Sequence, residues 1–286
     1  MQKTDSAVSR APAHLVSILR LREEAMNLRR VMMKMAAGKG EGYIAQGLGI
    51  ADLLAVVYFR EMHFDAENPE WEGRDRFVLS TGHYSIALFA VLFRLGMISE
   101  TELSTFGMNG SSLPLSTFDE LPGVEITGGS LGQGLGQAVG MALGNRLDQR
   151  NSRVICEVSD GEMQEGSVWE SAMAGSSFGL DALTAVIDCN GIQADGPIVL
   201  NMEPVADKWR AFGWETIEVN GNDVGEIVGA FDQLRSPNGR PKAIILRTTP
   251  GKGVPTIERR ERAHFVRVDA HEWPSLIEEL EDNYRG

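Results

Sequence analysis

The sequence predicts an α/β fold, a three-layer α/β/α arrangement around a mostly parallel central sheet. Three observations predict it. Short aliphatic runs recur through the second half, each followed by a helical pattern, and strands separated by helices pair in parallel with helices on both faces. The run RVICEVS (153–159), apolar at Val154, Ile155, Cys156 and Val158, reads as a buried strand. No internal repeat or low-complexity linker interrupts the series, which favours one large domain over two small ones in a chain of 286 residues.

Taken in order, residues 1–11 are polar and read as a flexible N-terminal arm, with the single domain running over 12–286. A helical pattern starts at Pro12 and passes through Leu15, Ile18, Leu19, Ala25, Leu28 and Val31 to Met35, ending at Gly38. GKGEGYIAQGLG reads as a glycine-rich loop before a helix over IADLLAVVYF. RDRFVLS (74–80) reads as a strand, followed by TGH and a helix over 86–95. Residues 107–129, rich in Gly, Ser and Pro, form a long loop, and such loops in compact domains are usually functional or disordered. After RVICEVS come a helix over 166–178, the strand ALTAVID (182–188) and a helix near 203–212. ETIEV, a helix over 223–234 and the strand KAIILRT (242–248) complete the series. The acidic end, IEELEDNYRG, reads as a solvated helix end.

Composition bounds the function. The apolar share of 43% and charged share of 23% are those of a globular chain. Two cysteines, Cys156 and Cys189, exclude a disulfide scaffold or a Cys-rich zinc site and read as small core residues. No apolar run reaches the ~20 residues that span a bilayer, and the start lacks a hydrophobic signal core, so the expectation is a soluble, cytoplasmic protein with no membrane contact. With 27 Lys and Arg against 40 Asp and Glu, the net charge of −13 repels nucleic acid. An anionic ligand then needs backbone N–H groups, a cation or a few histidines. Glycine, 32 residues, is enriched and clustered.

Two constellations carry chemistry. SDGEMQEG (159–166) follows one strand, and DCNGIQADG ends the next, so Asp160 and Asn190 fall at neighbouring strand ends, where open α/β sheets bind ligands. A carboxylate, an amide oxygen and the carbonyl of Ile192 offer three hard oxygen donors of the kind Mg²⁺ takes with diphosphate oxygens. Gly161 lets the backbone approach the phosphate. Read separately, DG and NG are also ordinary turns after strands. The second constellation is TGGSLGQGLGQAVGMALGNRL (127–147), whose glycine turn presents N–H groups at Gly128, Gly129 and Ser130 before a helix begins. Gly132, Gly136, Gly140 and Gly144 recur every four residues, and the expectation is close helix–helix contact along that flat face.

These segments, with RDRFVLSTGH (74–83), LPGVEITGGSLGQGLGQAVGMALG (121–144), VIDCNGIQADG (186–196) and DKWRAFGWETIEVNGND (207–223), resemble the transketolase family of thiamin-diphosphate enzymes. The resemblance spans nearly the whole chain but less than half of a full transketolase. It implies the diphosphate-binding (PP) module alone, the N-terminal subunit of a split enzyme. A C-terminal subunit with the pyrimidine-binding module is then the partner, in a dimer of heterodimers (a heterotetramer), with the cofactor-activating glutamate on that partner. It implies thiamin diphosphate with Mg²⁺, or Ca²⁺ or Mn²⁺ in its place. Asp160, Asn190 and the Ile192 carbonyl match the metal ligands; Gly161 and Asn190 match diphosphate contacts; Gly129, Ser130 and Leu131 match the turn that meets the aminopyrimidine. His83 and His264 match active-site histidines near the cofactor and the reacting carbon. Glu165 and Glu170 match acidic positions that link two active sites, or else lie on a solvated helix face.

Departures bear on the substrate. Tyr43 stands where transketolases carry one histidine, and Leu115, Ser116 and Thr117 stand where they carry Gly-His-Pro. Pro250 replaces a common lysine, and Phe265 follows His264 in place of glycine. The leading expectation is ketol transfer to an aldehyde acceptor. The alternatives are acyloin formation from a 2-oxoacid such as pyruvate, or a non-catalytic cofactor-binding subunit, against which the intact Asp160–Asn190 pair argues. His14, His63 and His271 read as surface residues, and Trp209 and Trp214 as packing.

Overall fold

The computed structural model describes residues 16–194 and 196–285; the arm at 1–11 and the start of the first expected helix lie outside them. Five strands pair in parallel: β1 (Arg76–Leu79), β2 (Val154–Ser159), β3 (Leu183–Cys189), β4 (Glu215–Asn220) and β5 (Lys242–Arg247). Their spatial order is β1-β2-β3-β5-β4. Successive side chains of a strand point to opposite faces, and the apolar residues of the middle strands divide accordingly. Ile155 and Val186 join one core, while Val154, Cys156, Val158, Ala185 and Ile187 join the other.

The first face is covered by α1 (Ile18–Lys39), α2 (Ile44–Gly49), α3 (Ala51–Val56), α4 (Ser85–Arg94) and the short α5 (Glu100–Leu103). The second face is covered by α6 (Gly134–Leu147), α7 (Gly166–Ser177) and α8 (Val205–Ala211). Helices α9 (Val224–Leu234), α10 (Pro255–Glu258) and α11 (Trp273–Arg285) return to the first face. The three-layer expectation is met.

Local differences have physical reasons. Helix α1 starts at Ile18, where the Ser17 hydroxyl accepts from the Arg20 N–H, and runs past Gly38 to Gly40, which closes it at φ +85°. The expected loop over 38–49 is helical from Ile44, because its glycines serve packing: a Cβ on Gly47 would meet Ile86 and Met32 at 2.9 Å. The helix expected over IADLLAVVYF divides into α3 and a π-helical turn, Val57–Glu61. The acidic end is solvated over its described side chains apart from Leu280, which is buried with Trp273 and Leu276 from earlier in α11. Cys156, Cys189, Trp209 and Trp214 are core residues, while His63 and His271 are exposed, as expected; His14 lies outside the described residues.

One expectation is met only in part. The glycine series packs on α7 at its start, where a Cβ on Gly132 would lie 2.4 Å from Ser167 Oγ and one on Gly136 3.2 Å from Ser171 Oγ, but farther along nothing lies within 4 Å of a Cβ on Gly140 or Gly144. Leu147, next on that face, is 81% exposed, and Met173 and Phe178 at α7 are exposed as well.

Candidate active site at the carboxyl ends of the strands

Register assembles the first half of the site. Ser159 pairs with Asp188, and the Asp160 N–H continues that ladder to the Asp188 carbonyl at 3.0 Å. The Asp160 carboxylate then accepts from the N–H groups of Gly161 (2.8 Å) and Gly191 (2.7 Å). Asn190 Oδ1 accepts from the Ile192 N–H at 3.0 Å, and its Nδ2 donates to Asp188 Oδ2 (2.7 Å) and Tyr84 Oη (2.8 Å). The Ile192 carbonyl oxygen lies 3.9 Å from where a Cβ on Gly161 would sit. Asp160, Asn190 and Ile192 are thus brought together. Gly161 itself has φ −63°, so its torsion does not require glycine.

Electrostatics here favours a cation. Burial, and then the neighbouring Asp188, push the Asp160 carboxyl up to about 7. Burial likewise raises Asp188, which its hydrogen bonds from Thr248, Asn190 and Tyr84 partly offset. Among the described residues no three His, Cys, Asp or Glu side chains form a metal-binding group, so a divalent ion at this place would draw on an amide and a carbonyl oxygen.

The second half of the site is a cleft of about 540 Å³ lined by Tyr43, His83, Ser116, Gly129, Leu131, Gly161, Ile192 and His264, among others. Its wall is laced by backbone: the Thr117 N–H donates to the Gly82 carbonyl (2.9 Å) and the Gly128 N–H to the Thr117 carbonyl (3.1 Å). Gly82 and Gly128 have to be glycine, because a Cβ on Gly82 would lie 2.4 Å from the Gly128 Cα. That crossing puts His83, Ser116 and Gly129 side by side. Ser130 is exposed and lines neither this cleft nor the adjoining recess that holds Asp160 and Asn190.

His83 Nε2 and Ser116 Oγ are buried with no partner among the described residues, which marks them as places for a ligand's polar atoms. Burial and the nearby His264 lower His83 to about 3, so the ring is neutral. The two imidazoles lie 5.1 Å apart. Tyr43 packs edge-on against His83 (4.8 Å), His264 (5.4 Å) and Phe265 (4.9 Å). Among the described residues no Lys or Arg lines the cleft, and Glu165 is its fixed charge.

Sequence reasoning missed four residues here. Gln46 Nε2 meets His264 Nδ1 at 2.8 Å, from a segment read as loop; the helical spacing of Tyr43 and Gln46 was the overlooked signal. Glu162 is buried and pins the glycine turn, its Oε1 accepting from the Gly132 N–H (2.7 Å) and Ser80 Oγ (2.5 Å). Glu157, inside β2, accepts from the Thr81 hydroxyl at 2.6 Å, and burial raises its carboxyl well above the usual range. Tyr84 joins the two halves. Glu165 and Glu170 are both exposed, and of the two Glu165 lines the cleft.

Comparison with known proteins decides the family. Residues 21–281 match the transketolase thiamine diphosphate binding domain. The chain belongs to the transketolase family. It is 49% identical to a transketolase family protein of Sinorhizobium fredii, y4mO, over 90% of this chain and 94% of that one. It is 37% identical to the 6-deoxy-6-sulfo-D-fructose transketolase subunit SqwG of a Clostridium species, covering 91% of this chain and 96% of that subunit. It is 35% identical to an apulose-4-phosphate transketolase subunit of Phocaeicola vulgatus, covering 93% and 95%. The transketolase of Campylobacter jejuni superposes with a TM-score of 0.84 at 28% identity, over 94% of this chain and 48% of that enzyme. The three-layer fold is therefore that of the transketolase N-terminal region, and the chain is a thiamin-diphosphate-dependent transferase. Its residues fit that cofactor: orphaned polar atoms face the cleft, and a desolvated carboxylate with an amide and a carbonyl stands beside it. Among the described residues no helix is long and apolar enough to cross a membrane.

Proposed function

We propose that the chain is the diphosphate-binding subunit of a two-component transketolase, its described residues forming one binding domain. It transfers a two-carbon ketol unit from a small ketose to an aldehyde. The observation that carries this reading is the juxtaposition of Asp160, Asn190 and the Ile192 carbonyl beside the His83–His264 cleft.

In this reading Asp160, Asn190 Oδ1 and the Ile192 carbonyl hold Mg²⁺, which Ca²⁺ or Mn²⁺ replaces, and the backbone N–H groups around Gly161 and Asn190 meet the diphosphate. The Gly129–Ser130–Leu131 backbone meets the aminopyrimidine ring. When bound, thiamin diphosphate supplies the nucleophilic carbon that adds to a carbonyl and carries the transferred unit. His83 and His264 orient the reacting oxygen and hold or release its proton, and the depressed basicity of His83 keeps it neutral for that task. The wall of Tyr43 and Phe265 excludes water from one side of the cleft.

The partner we assign is a C-terminal transketolase-like subunit carrying the pyrimidine-binding module and the activating glutamate, in a dimer of heterodimers. Two relatives of almost the same length are named as subunits, which supports this. So does the bare stretch of α6 at Gly140 and Gly144 with Leu147, Met173 and Phe178, which we assign to subunit contact. The substrates named for those relatives carry a sulfo or phosphate group. We propose an anionic ketose here too, its charge bound by the partner, since the cleft presents no cation among the described residues. We place the assembly in the cytoplasm, where the free, buried Cys156 and Cys189 stay reduced.

Activity should appear only when both subunits are mixed with thiamin diphosphate and Mg²⁺. Turnover by the isolated chain at the rate of the complex would overturn the two-component reading. The aromatic wall favours a second reading, acyloin formation from a less hydroxylated donor. Assays with hydroxypyruvate, ketose phosphates and pyruvate, read by product mass, separate the two, and exclusive use of pyruvate rejects ketol transfer.

A further inference from the structure

Tyr84 has no role in the scheme above, yet it touches both halves of the site. It is buried, with its hydroxyl donating to Asp188 Oδ2 at 3.1 Å and accepting from Asn190 Nδ2 at 2.8 Å. The same Nδ2 donates to Asp188 Oδ2 at 2.7 Å, so both amide protons have acceptors. Rotating the amide would set its carbonyl oxygen against a carboxylate, so the hydrogen bonds specify which end is oxygen. Oδ1 is thereby directed to the Ile192 N–H, on the Gly191 side where Asp160 is bound. Thr248 holds the other oxygen of Asp188. The Tyr84 ring packs edge-on to His83 with centroids 4.7 Å apart.

We propose that Tyr84 is a positioning residue for the metal-binding amide: its hydroxyl, with Asp188, locks Asn190 so that Oδ1 is presented as a ligand, and its ring couples that lock to His83. The proposal rests on the metal reading of Asp160, Asn190 and Ile192. Partners of this kind behind a metal ligand typically contribute about 10–100-fold in metal affinity. They matter more for Mg²⁺, which demands near-ideal octahedral geometry, than for Ca²⁺, which tolerates a loose shell.

The test is calorimetric titration of the full chain, in complex with its partner and with saturating thiamin diphosphate, using MgCl₂ and then CaCl₂. Tyr84→Phe keeps the ring and removes the hydroxyl. It should weaken Mg²⁺ binding by about 10-fold and Ca²⁺ binding by clearly less. Unchanged Mg²⁺ affinity, or an equal loss for both ions, would overturn the proposal, because a merely structural tyrosine would not change the preference between them. Should this variant fail to fold, Thr248→Val loosens Asp188 from its other side and should produce the same Mg²⁺-weighted loss, with an equal loss again counting against the proposal. Asn190→Ala serves as the control. If it keeps full Mg²⁺ affinity, the metal reading itself falls; if it loses affinity while Tyr84→Phe does not, only the Tyr84 assignment falls.

Discussion

The two halves of the site are built differently. At the metal end, the donors sit one residue beyond paired strands, and nearly every polar atom is already bonded: Asp160 to two N–H groups, Asn190 to three partners. At the substrate end, the side chains come from a helix start, a 3₁₀ turn and two loops, and His83 Nε2 and Ser116 Oγ have no partner among the described residues. The first half is a saturated cradle that needs only a cation. The second is left unsatisfied, and its unmet hydrogen bonds are where a substrate can be recognised. Rigid strand ends suit a shared cofactor, whereas loops and helix starts can change residues such as Tyr43 without disturbing the sheet.

The sharpest way to break this comparison is at His83. His83→Gln in the complex should lower turnover by about 10²–10⁴-fold, the usual worth of a positioned acid or base, while cofactor binding measured by calorimetry stays near the parent. The same variant should alter acid stability. Folded His83 titrates near 3 and the unfolded residue near 6.5, so the unfolded chain takes up the proton first. The stability from keeping it neutral is intact above pH 6.5 and declines as pH falls toward 3, by up to about 1.4 kcal/mol per pH unit. In His83→Gln that part of the acid-side slope should vanish from denaturant midpoints. Next in size is Asp160→Ala, expected to lose at least about 100-fold in Mg²⁺-dependent thiamin diphosphate binding, at or beyond the upper end for groups behind a ligand. Unaltered affinity would mean that the saturated cradle is only a turn.

Legibility in the sequence follows the same division. Asp160 and Asn190 could be placed because strand period and parallel pairing are local patterns, and their ends fall together once the register is set. The roles of Tyr84, Gln46 and Glu162 could not be, because the partners that define them lie 104, 218 and 82 residues away. Glycine misled twice for one reason: the residue serves loops, tight packing and bare surfaces alike. Gly47 looked like a loop and is packed between α1 and α4, whereas Gly140 looked packed and is bare. Only the folded chain separates these uses.

Tyr43→His sharpens the substrate half. Replacing the phenol by an imidazole puts ring nitrogens, in place of a single distal hydroxyl, beside His83 and His264. The ratio of kcat/KM for a ketose phosphate over pyruvate should rise by about tenfold, roughly one hydrogen bond's worth of selectivity. A falling ratio would show that the aromatic wall favours the hydroxylated substrate.

The smallest effect belongs to Gly144→Ala, on the bare face of the helix that leads away from the cofactor turn. Nothing lies within 4 Å of the added methyl, and glycine inside a helix costs about 1 kcal/mol relative to alanine. The isolated chain should therefore gain close to 1 kcal/mol, visible as a raised denaturant midpoint. If α6 is a subunit contact, the same methyl meets a close-packed partner and the complex should assemble more weakly even as the free chain becomes more stable. A variant that stabilises the chain and assembles as tightly as its parent would leave the glycine face without a partner, and subunit contact would have to lie elsewhere.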